Sequence, residues 1–173
     1  RYFRPNFRQP IIPPRTMKRL IFLSLTLLGI YSNPATAFPT REVFSDRAQG
    51  IDGSIIELEI YPGDLFTINF SKTGETVKQV MAGDPSRFTY GGVDGVLCPL
   101  TVAESCTSTG AKVVFIKQIY PPLEFPNQSH SADGSTQLKV YTEGDRGLRQ
   151  YIFKLIPIPV GVKKTSSYSS LII

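Results

Sequence analysis

The chain of 173 residues has no tryptophan, one histidine, two cysteines and two methionines. These scarcities remove several kinds of site. One histidine and two cysteines fall short of the four ligands that a structural zinc ion takes. A carbohydrate-binding sandwich stays open as an alternative, but without tryptophan its sugars would have to stack on tyrosine. We therefore expect no metal and no cofactor.

Apolar residues at helical spacing are also missing outside residues 20–31, which argues against amphipathic helices as the main elements. Two-residue alternation takes their place, as where Phe66, Ile68 and Phe70 alternate with Thr67 and Asn69. About seven or eight short strands with turns between them are typical of a sandwich or barrel. The pattern predicts an all-β fold, a single antiparallel β-sandwich that is immunoglobulin-like or a partly open barrel.

The clearest element is a β-hairpin over residues 134–156, where two alternating runs flank a turn at residues 143–147 with two glycines. Residues 112–119 contain an unbroken apolar run, which predicts a central strand covered on both faces. Residues 76–81 are harder to place, because strict alternation puts Val77 and Val80 on opposite faces.

Positive charge is concentrated at one end of the chain. Six of the 19 basic residues lie in residues 1–37, which contain no acidic residue, so 13 basic residues face 14 acidic ones in the remainder. A nucleic-acid-binding domain needs its basic residues on the folded surface. We therefore expect no nucleic-acid partner.

A basic start at Met17, an uncharged run and a small-x-small site ending at Ala37 form the pattern of a secretory signal peptide over residues 17–37. The run is too short to span a membrane, which takes about 20 apolar residues. We interpret residues 1–16 as wrongly extended translation, with a native basic arm as the alternative. Residues 38–160 would form the β-sandwich and residues 161–173 a disordered tail, with docking of the terminal Leu171-Ile172-Ile173 as the alternative. The protein would be exported to the periplasm or beyond, and would meet a membrane only through association.

The two cysteines, Cys98 and Cys106, lie in a loop rich in serine and threonine. In an oxidising compartment they are predicted to form a disulfide, with a metal pair as the disfavoured alternative because further ligands are lacking.

Catalytic chemistry finds little support in the sequence. A serine hydrolase could use His130 with Asp133 or Asp84, but no serine stands in a Gly-x-Ser-x-Gly turn. Glu57 and Glu59 share a strand face, as paired carboxylates of a glycosidase can, although a polar outer face is the commoner explanation. We expect no enzyme, with a small secreted hydrolase as the alternative.

A turn at Gly83, Asp84, Pro85 and Ser86 separates two strands. Proline holds the preceding residue extended, and the Asp84 carboxylate is expected to cap the amides of Ser86 and Arg87. We assign this turn a structural role.

The order of several fragments resembles the TrbG and CagX type of periplasmic component of conjugation and type IV secretion systems. The fragments are Tyr61-Pro62-Gly63 with Thr67-x-x-Phe70, Gly74-Glu75-Thr76-Val77, Gly83-Asp84-Pro85-Ser86-Arg87-Phe88, Thr136-x-Leu138-x-Val140-x-Thr142 and Tyr151-x-Phe153-x-Leu155. The resemblance covers the amino-terminal β-domain of that family. It implies a β-sandwich that binds an envelope or secretion-apparatus protein, or a second copy of itself.

Sheet edges are where a β-domain without a pocket can bind protein, because their backbone groups are unpaired. Two segments are candidates. One lies near residues 123–126, where Pro121, Pro122 and Pro126 bound a three-residue segment that can form only an edge strand or a connection. The entry segment, residues 38–53, carries Val43, Phe44 and Ile51 without such protection. It either adds as a strand to a neighbouring subunit, or pairs within its own sheet or stays disordered.

Overall fold

The computed structural model describes residues 39–97, 109–127, 129–164 and 168–173, which all belong to one compact unit. The predicted signal peptide, residues 1–16 and both cysteines lie outside the described residues. The described elements are β1 (Thr40–Glu42), α1 (Ser45–Ala48), β2 (Ile56–Ile60), β3 (Leu65–Asn69), β4 (Thr76–Ala82), β5 (Phe88–Gly92), β6 (Val113–Gln118), β7 (Thr136–Gly144), β8 (Gly147–Pro157) and β9 (Ser170–Ile172). In this part of the chain, no helix is long and apolar enough to cross a membrane.

The strands form two sheets, one with the order β1-β9-β3-β6-β5 and the other with the order β2-β8-β7-β4. The all-β sandwich is therefore confirmed, and the sheets do not close into a barrel. The pairing is mixed and not wholly antiparallel, because β1 with β9, β3 with β9, and β2 with β8 run parallel. Alternation along a strand sets which face is buried, but it carries no information on strand direction.

The predicted hairpin is present as β7 and β8, paired antiparallel from Thr136 opposite Leu155 to Gly144 opposite Gly147. Its loop is shorter than predicted, because pairing continues to Gly144 and Gly147 and leaves only two residues, Asp145 and Arg146, between the strands. Gly147 has a φ of 85°, a left-handed conformation that other residues rarely adopt. This hairpin forms the centre of the four-stranded sheet.

The core lies between the two sheets and is built from the inward side chains of nearly every strand. Phe70 and Tyr151 meet edge to face across it, with ring centroids 5.0 Å apart. The fully buried apolar residues are Ala48, Leu58, Ile68, Phe70, Val77, Val114, Ile116, Leu138, Val140, Tyr151, Phe153, Leu155 and Leu171.

A β-bulge explains the irregular pattern of β4. The register with β7 shifts between Val77 and Gln79, so one residue of β4 has no partner opposite. The extra residue resets the alternation, and Val77 and Val80 both point into the core.

Strand β6 is interior to its sheet, between β3 and β5, but only one of its faces is buried. Val114 and Ile116 are in the core, whereas Val113 and Phe115 are half-buried. The prediction of cover on both faces is therefore wrong. An apolar run shows that a strand is buried on one face, but it does not require a third layer.

The prediction of a disordered tail is wrong for its last residues, which follow the alternative and dock on the domain. Ser170–Ile172 forms β9, which lies between β1 and β3 and pairs with both. Leu171 is fully buried and the Ile173 amide donates to the Asn69 carbonyl at 3.0 Å. The serine and lysine content of the preceding residues concealed a short apolar strand whose burial offsets the entropy of ordering it.

Candidate functional site

Strand β1 forms one edge of the five-stranded sheet and is paired on one side only, with β9. The amide of Val43 donates to the Ile172 carbonyl at 2.9 Å, so it faces β9. Because backbone groups alternate sides along a strand, the amide and carbonyl of Arg41 also face β9, whereas those of Thr40 and Glu42 face away. The outer side of β1 thus has no paired strand among the described residues.

The three predicted edge residues have different environments. Val43 is 6% exposed and belongs to the core, so its prediction as a contact residue is wrong. Phe44 and Ile51 are 87% and 71% exposed, and both are available to a partner. Phe44 is the most exposed large apolar side chain among the described residues.

The backbone on both sides of Phe44 is fixed. Val43 is packed in the core before it, and after it the Ser45 hydroxyl lies 2.9 Å from the Tyr151 hydroxyl. The Ala48 side chain of α1 is fully buried. Phe44 is therefore an exposed ring on an ordered backbone, and little further ordering is needed when it binds.

Behind this edge is a groove of about 410 Å³, lined by β1, α1, the turn before β4 and the hairpin tip. A buried ionic network forms part of its lining. The Oε2 atom of Glu75, 5% exposed, accepts hydrogen bonds from Thr142 at 2.7 Å and Tyr151 at 2.8 Å. Its Oε1 atom lies 3.0 Å from Nη1 of Arg149. Every charge in the network has a partner, and the arrangement joins the turn before β4 to β7, β8 and α1.

The Tyr151 hydroxyl is held in its neutral form. Burial raises its pKa and the Glu75 carboxylate acts in the same direction, while its hydrogen bond with Ser45 opposes them. This hydroxyl therefore donates to Glu75 across the physiological pH range.

The histidine contacts one of its two predicted partners. Nδ1 of His130 lies 2.8 Å from Oδ2 of Asp84, whereas Asp133 accepts bonds from the amide and hydroxyl of Ser135. Burial tends to raise the pKa of Asp84, but the hydrogen bonds from Ser86 and His130 outweigh it and leave this pKa below its usual value. The pair could orient an imidazole as a general base.

The predicted cap at the Asp84 turn is present for one of its two amides, that of Ser86, which donates to Oδ1 of Asp84 at 2.8 Å. The amide of Asp84 in turn donates to the Thr136 hydroxyl at 2.8 Å. The turn is thus tied to β7. Gly83 also lies against this strand, since a Cβ there would be 2.9 Å from the Thr136 hydroxyl.

The remaining candidates are separate from these groups. Glu57 pairs with Lys154 at 3.0 Å on the surface, and Glu59 accepts from the Tyr61 hydroxyl at 2.9 Å. Each carboxylate thus has its own partner. Residues 123–126 form a connection and not an edge strand, with the Leu123 amide donating to the Ser86 carbonyl at 2.9 Å. No cluster of potential metal ligands is present among the described residues.

The sequence did not identify Glu75 and Arg149 as a buried pair. One signal was available, because Thr142 follows the inward positions of β7 and Tyr151 begins those of β8. Two inward hydroxyls on adjacent strands need a buried partner. The sequence does not show which acceptor is that partner, because this depends on the register of β4 and the bulge obscures the register.

A scan against protein-family models finds no match to this chain, and a search of curated proteins finds no significant match.

Proposed function

We propose that this chain is an exported bacterial envelope protein whose β-sandwich binds another protein, in the manner of the amino-terminal domain of a TrbG or CagX type secretion component. The observation that carries the proposal is the outer side of β1, unpaired in the described structure and followed by the exposed ring of Phe44. The predicted signal peptide and the resemblance in fragment order support its cellular setting.

The proposed mode of binding is β-augmentation, in which an extended segment of the partner adds to β1. The outward backbone groups of Thr40 and Glu42 would supply hydrogen bonds, and Phe44 would supply an apolar anchor beside them. A short edge strand gives few backbone bonds, so the aromatic anchor is needed for affinity. A second copy of this chain could supply the same segment, which makes self-association the alternative.

The outward donor of Glu42 can be removed without disturbing the bonds that face β9. In Glu42→Pro the lost amide is the outward one, whereas Arg41→Pro removes a donor that faces β9. Glu42 also pairs with Lys72 at 2.9 Å on the surface, so Glu42→Ala controls for the lost carboxylate. We expect Glu42→Pro to fold and lose the partner, Glu42→Ala to keep it, and Arg41→Pro to be destabilised.

A photo-crosslinking amino acid in place of Phe44 tests the proposal in the exporting cell. We expect a crosslink to one envelope protein or to a second copy, lost when Glu42→Pro is combined with it. A crosslinked component of a secretion apparatus would support the family resemblance. No crosslink, or one that survives Glu42→Pro, would refute binding through this edge.

A second candidate is a small secreted hydrolase, favoured by the contact between His130 and Asp84. The Ser86 hydroxyl, the nearest serine in sequence to Asp84, is buried and makes no hydrogen bond with the histidine. Hydrolysis of p-nitrophenyl esters by the exported protein, abolished in His130→Ala, would support this function. Activity that is absent or indifferent to the substitution would exclude it for esters.

A further inference from the structure

The bond between Asp84 and Pro85 is the only Asp-Pro bond in the sequence, and it lies in the turn that leads from β4 in one sheet to β5 in the other. The proline nitrogen carries no hydrogen, so it cannot attack the side chain to form a cyclic imide. As a tertiary amide nitrogen it also takes up a proton more readily than an ordinary peptide nitrogen. Attack of the carboxylate on its own carbonyl carbon is therefore the reaction that this bond favours.

The Asp84 side chain is folded over this bond. Its Oδ1 atom accepts from the Ser86 amide at 2.8 Å, and the ring closed by that hydrogen bond includes the Asp84 carbonyl carbon and the Pro85 nitrogen. The Asp84 amide donates to the Thr136 hydroxyl at 2.8 Å, which fixes the backbone before the bond. The carboxylate is thus held beside the carbon that it would attack, as catalysis by proximity requires.

A proton donor lies against the same carboxylate. Nδ1 of His130 is 2.8 Å from Oδ2 of Asp84, and this side chain is 35% exposed, so it exchanges protons with water. His130 is the only histidine of the chain, and imidazole is the side chain that ordinarily changes charge between about pH 5 and pH 8. The Pro85 side of the bond is also exposed, whereas Asp84 is buried. Water can therefore reach the leaving nitrogen.

The charge of Asp84 suits a nucleophile. Burial tends to raise its pKa, but the hydrogen bonds from Ser86 and His130 outweigh burial and leave the pKa below its usual value. The carboxylate therefore stays ionised in mild acid, where imidazole gains a proton. An ionised nucleophile beside a protonated donor is what attack with protonation of the leaving group needs.

We propose that the chain cleaves itself between Asp84 and Pro85. An oxygen of the Asp84 carboxylate attacks the Asp84 carbonyl carbon, and the proton on His130 moves to the Pro85 nitrogen as the C–N bond breaks. The products of this step are a cyclic aspartic anhydride, a free proline amine and a neutral imidazole. One water molecule then opens the anhydride to two carboxylates, and the two protons released return to His130 and the new amine.

The cleaved domain stays assembled, because the strands on either side of the cut are held by other strands. β4 pairs with β7, and β5 pairs with β6. Cleavage thus frees the crossover between the sheets without separating them, and the two fragments separate only on denaturation. No residue of β1 takes part, so the reaction does not depend on the function proposed above.

The exported protein, purified at about pH 8, is incubated at that pH and at about pH 5.5. Denaturing electrophoresis and intact-mass measurement should show one fragment that ends at Asp84 and one that begins at Pro85, with a summed mass that exceeds the intact mass by one water molecule. Cleavage should be faster at the lower pH. Hydroxylamine should trap the anhydride, so that the first fragment carries a hydroxamate at Asp84.

Asp84→Asn should abolish cleavage. His130→Gln should slow it about a hundredfold and remove its dependence on pH, as the loss of a general acid would. Asp133→Asn is the matched control and should cleave normally, because Asp133 lies in the same loop as His130 but accepts from Ser135. Arg87 and Glu124 are the other charged residues of the groove that His130 lines, so Glu124→Gln controls for the pH profile and should keep it.

The comparison of folded and denatured protein keeps the test decisive even if a variant fails to fold. The folded chain should cleave at least about a hundredfold faster than the same chain in guanidinium, because unfolding removes both the held carboxylate and the proton donor. Equal rates would mean that only the intrinsic lability of an Asp-Pro bond is at work and would overturn the proposal. Absence of fragments from the folded protein at both pH values, or cleavage without a trapped hydroxamate, would overturn it as well.

Discussion

The buried network around Glu75 gives the sharpest test of how this sandwich is held together. Glu75→Gln preserves the shape of the side chain and removes its charge. The carboxylate accepts from two hydroxyls at 2.7 and 2.8 Å and pairs with Arg149 at 3.0 Å. After the substitution, both hydroxyls face a weaker, neutral acceptor and the guanidinium loses its counter-ion.

The expected cost follows from these contacts. Hydrogen bonds to a charged group contribute about 1.5 to 3 kcal/mol each, and a neutral acceptor keeps about half of that. Complete loss of a buried partner costs about 3 to 5 kcal/mol, but the Arg149 side chain is 20% exposed and can be partly solvated. We therefore expect Glu75→Gln to lower the free energy of unfolding by about 2 to 3 kcal/mol, which corresponds to roughly 5 to 10 °C.

A double-mutant cycle with Tyr151→Phe identifies the source of this loss. Tyr151→Phe alone removes one donor and should cost about 1 to 2 kcal/mol. Because the two groups are in contact, the double variant should lose less than the sum, by about 1 kcal/mol. Urea unfolding followed by circular dichroism measures all four proteins.

Glu143→Gln is the matched control. Glu143 forms an exposed pair with Lys78 at 3.1 Å, so its loss should cost less than about 1 kcal/mol. If Glu75→Gln costs no more than this control, or if the cycle is additive, the network does not stabilise the fold and our account of it is wrong.

Three further predictions concern other parts of the chain. Leu171→Ala should lower the free energy of unfolding by about 2 to 5 kcal/mol because Leu171 is fully buried. Ile172→Ala should cost less, because Ile172 is half-buried on the other face of the strand. Equal and negligible effects of the two substitutions in calorimetry would mean that β9 is not formed. Asp84 has a lowered pKa in the fold, so its contribution to stability is complete above about pH 4, the usual pKa of an aspartate, and is lost as the pH falls through the folded pKa. Asp84→Asn should therefore lose stability less steeply than the unsubstituted protein as the pH falls below about 4 in acid titrations, and an unchanged slope would contradict this. Cys98 and Cys106 should be joined in the exported protein, so reduction should raise its intact mass by about 2 Da, and free alkylation of both thiols without reduction would exclude the bond.

Local features of the fold were predictable because they depend on two-residue alternation. To predict the hairpin of β7 and β8, its alternating faces and a glycine turn were sufficient. To predict the final strand, knowledge of its distant partner strands was also required. Ser170–Ile172 is stable only between β1 and β3, at a sequence distance where no local pattern applies. The parallel pairings could not be predicted for the same reason.

The candidate site was predictable in part. Asp84 as a cap followed from its position before proline, whereas the sequence left open whether His130 would pair with Asp84 or with Asp133. Val43 and Phe44 were predicted together as edge residues, but the end of β1 places one in the core and the other in solvent. Whether a side chain beside a strand end is buried depends on the packing of the whole sheet, which a sequence pattern does not contain.

The polar cluster around Glu75 fits a structural role. Each oxygen of the buried carboxylate has a partner, which is what a network that stabilises the fold requires. The partners come from two strands that the hairpin of β7 and β8 already holds side by side, so the network adds the turn before β4 to a pairing that is otherwise complete.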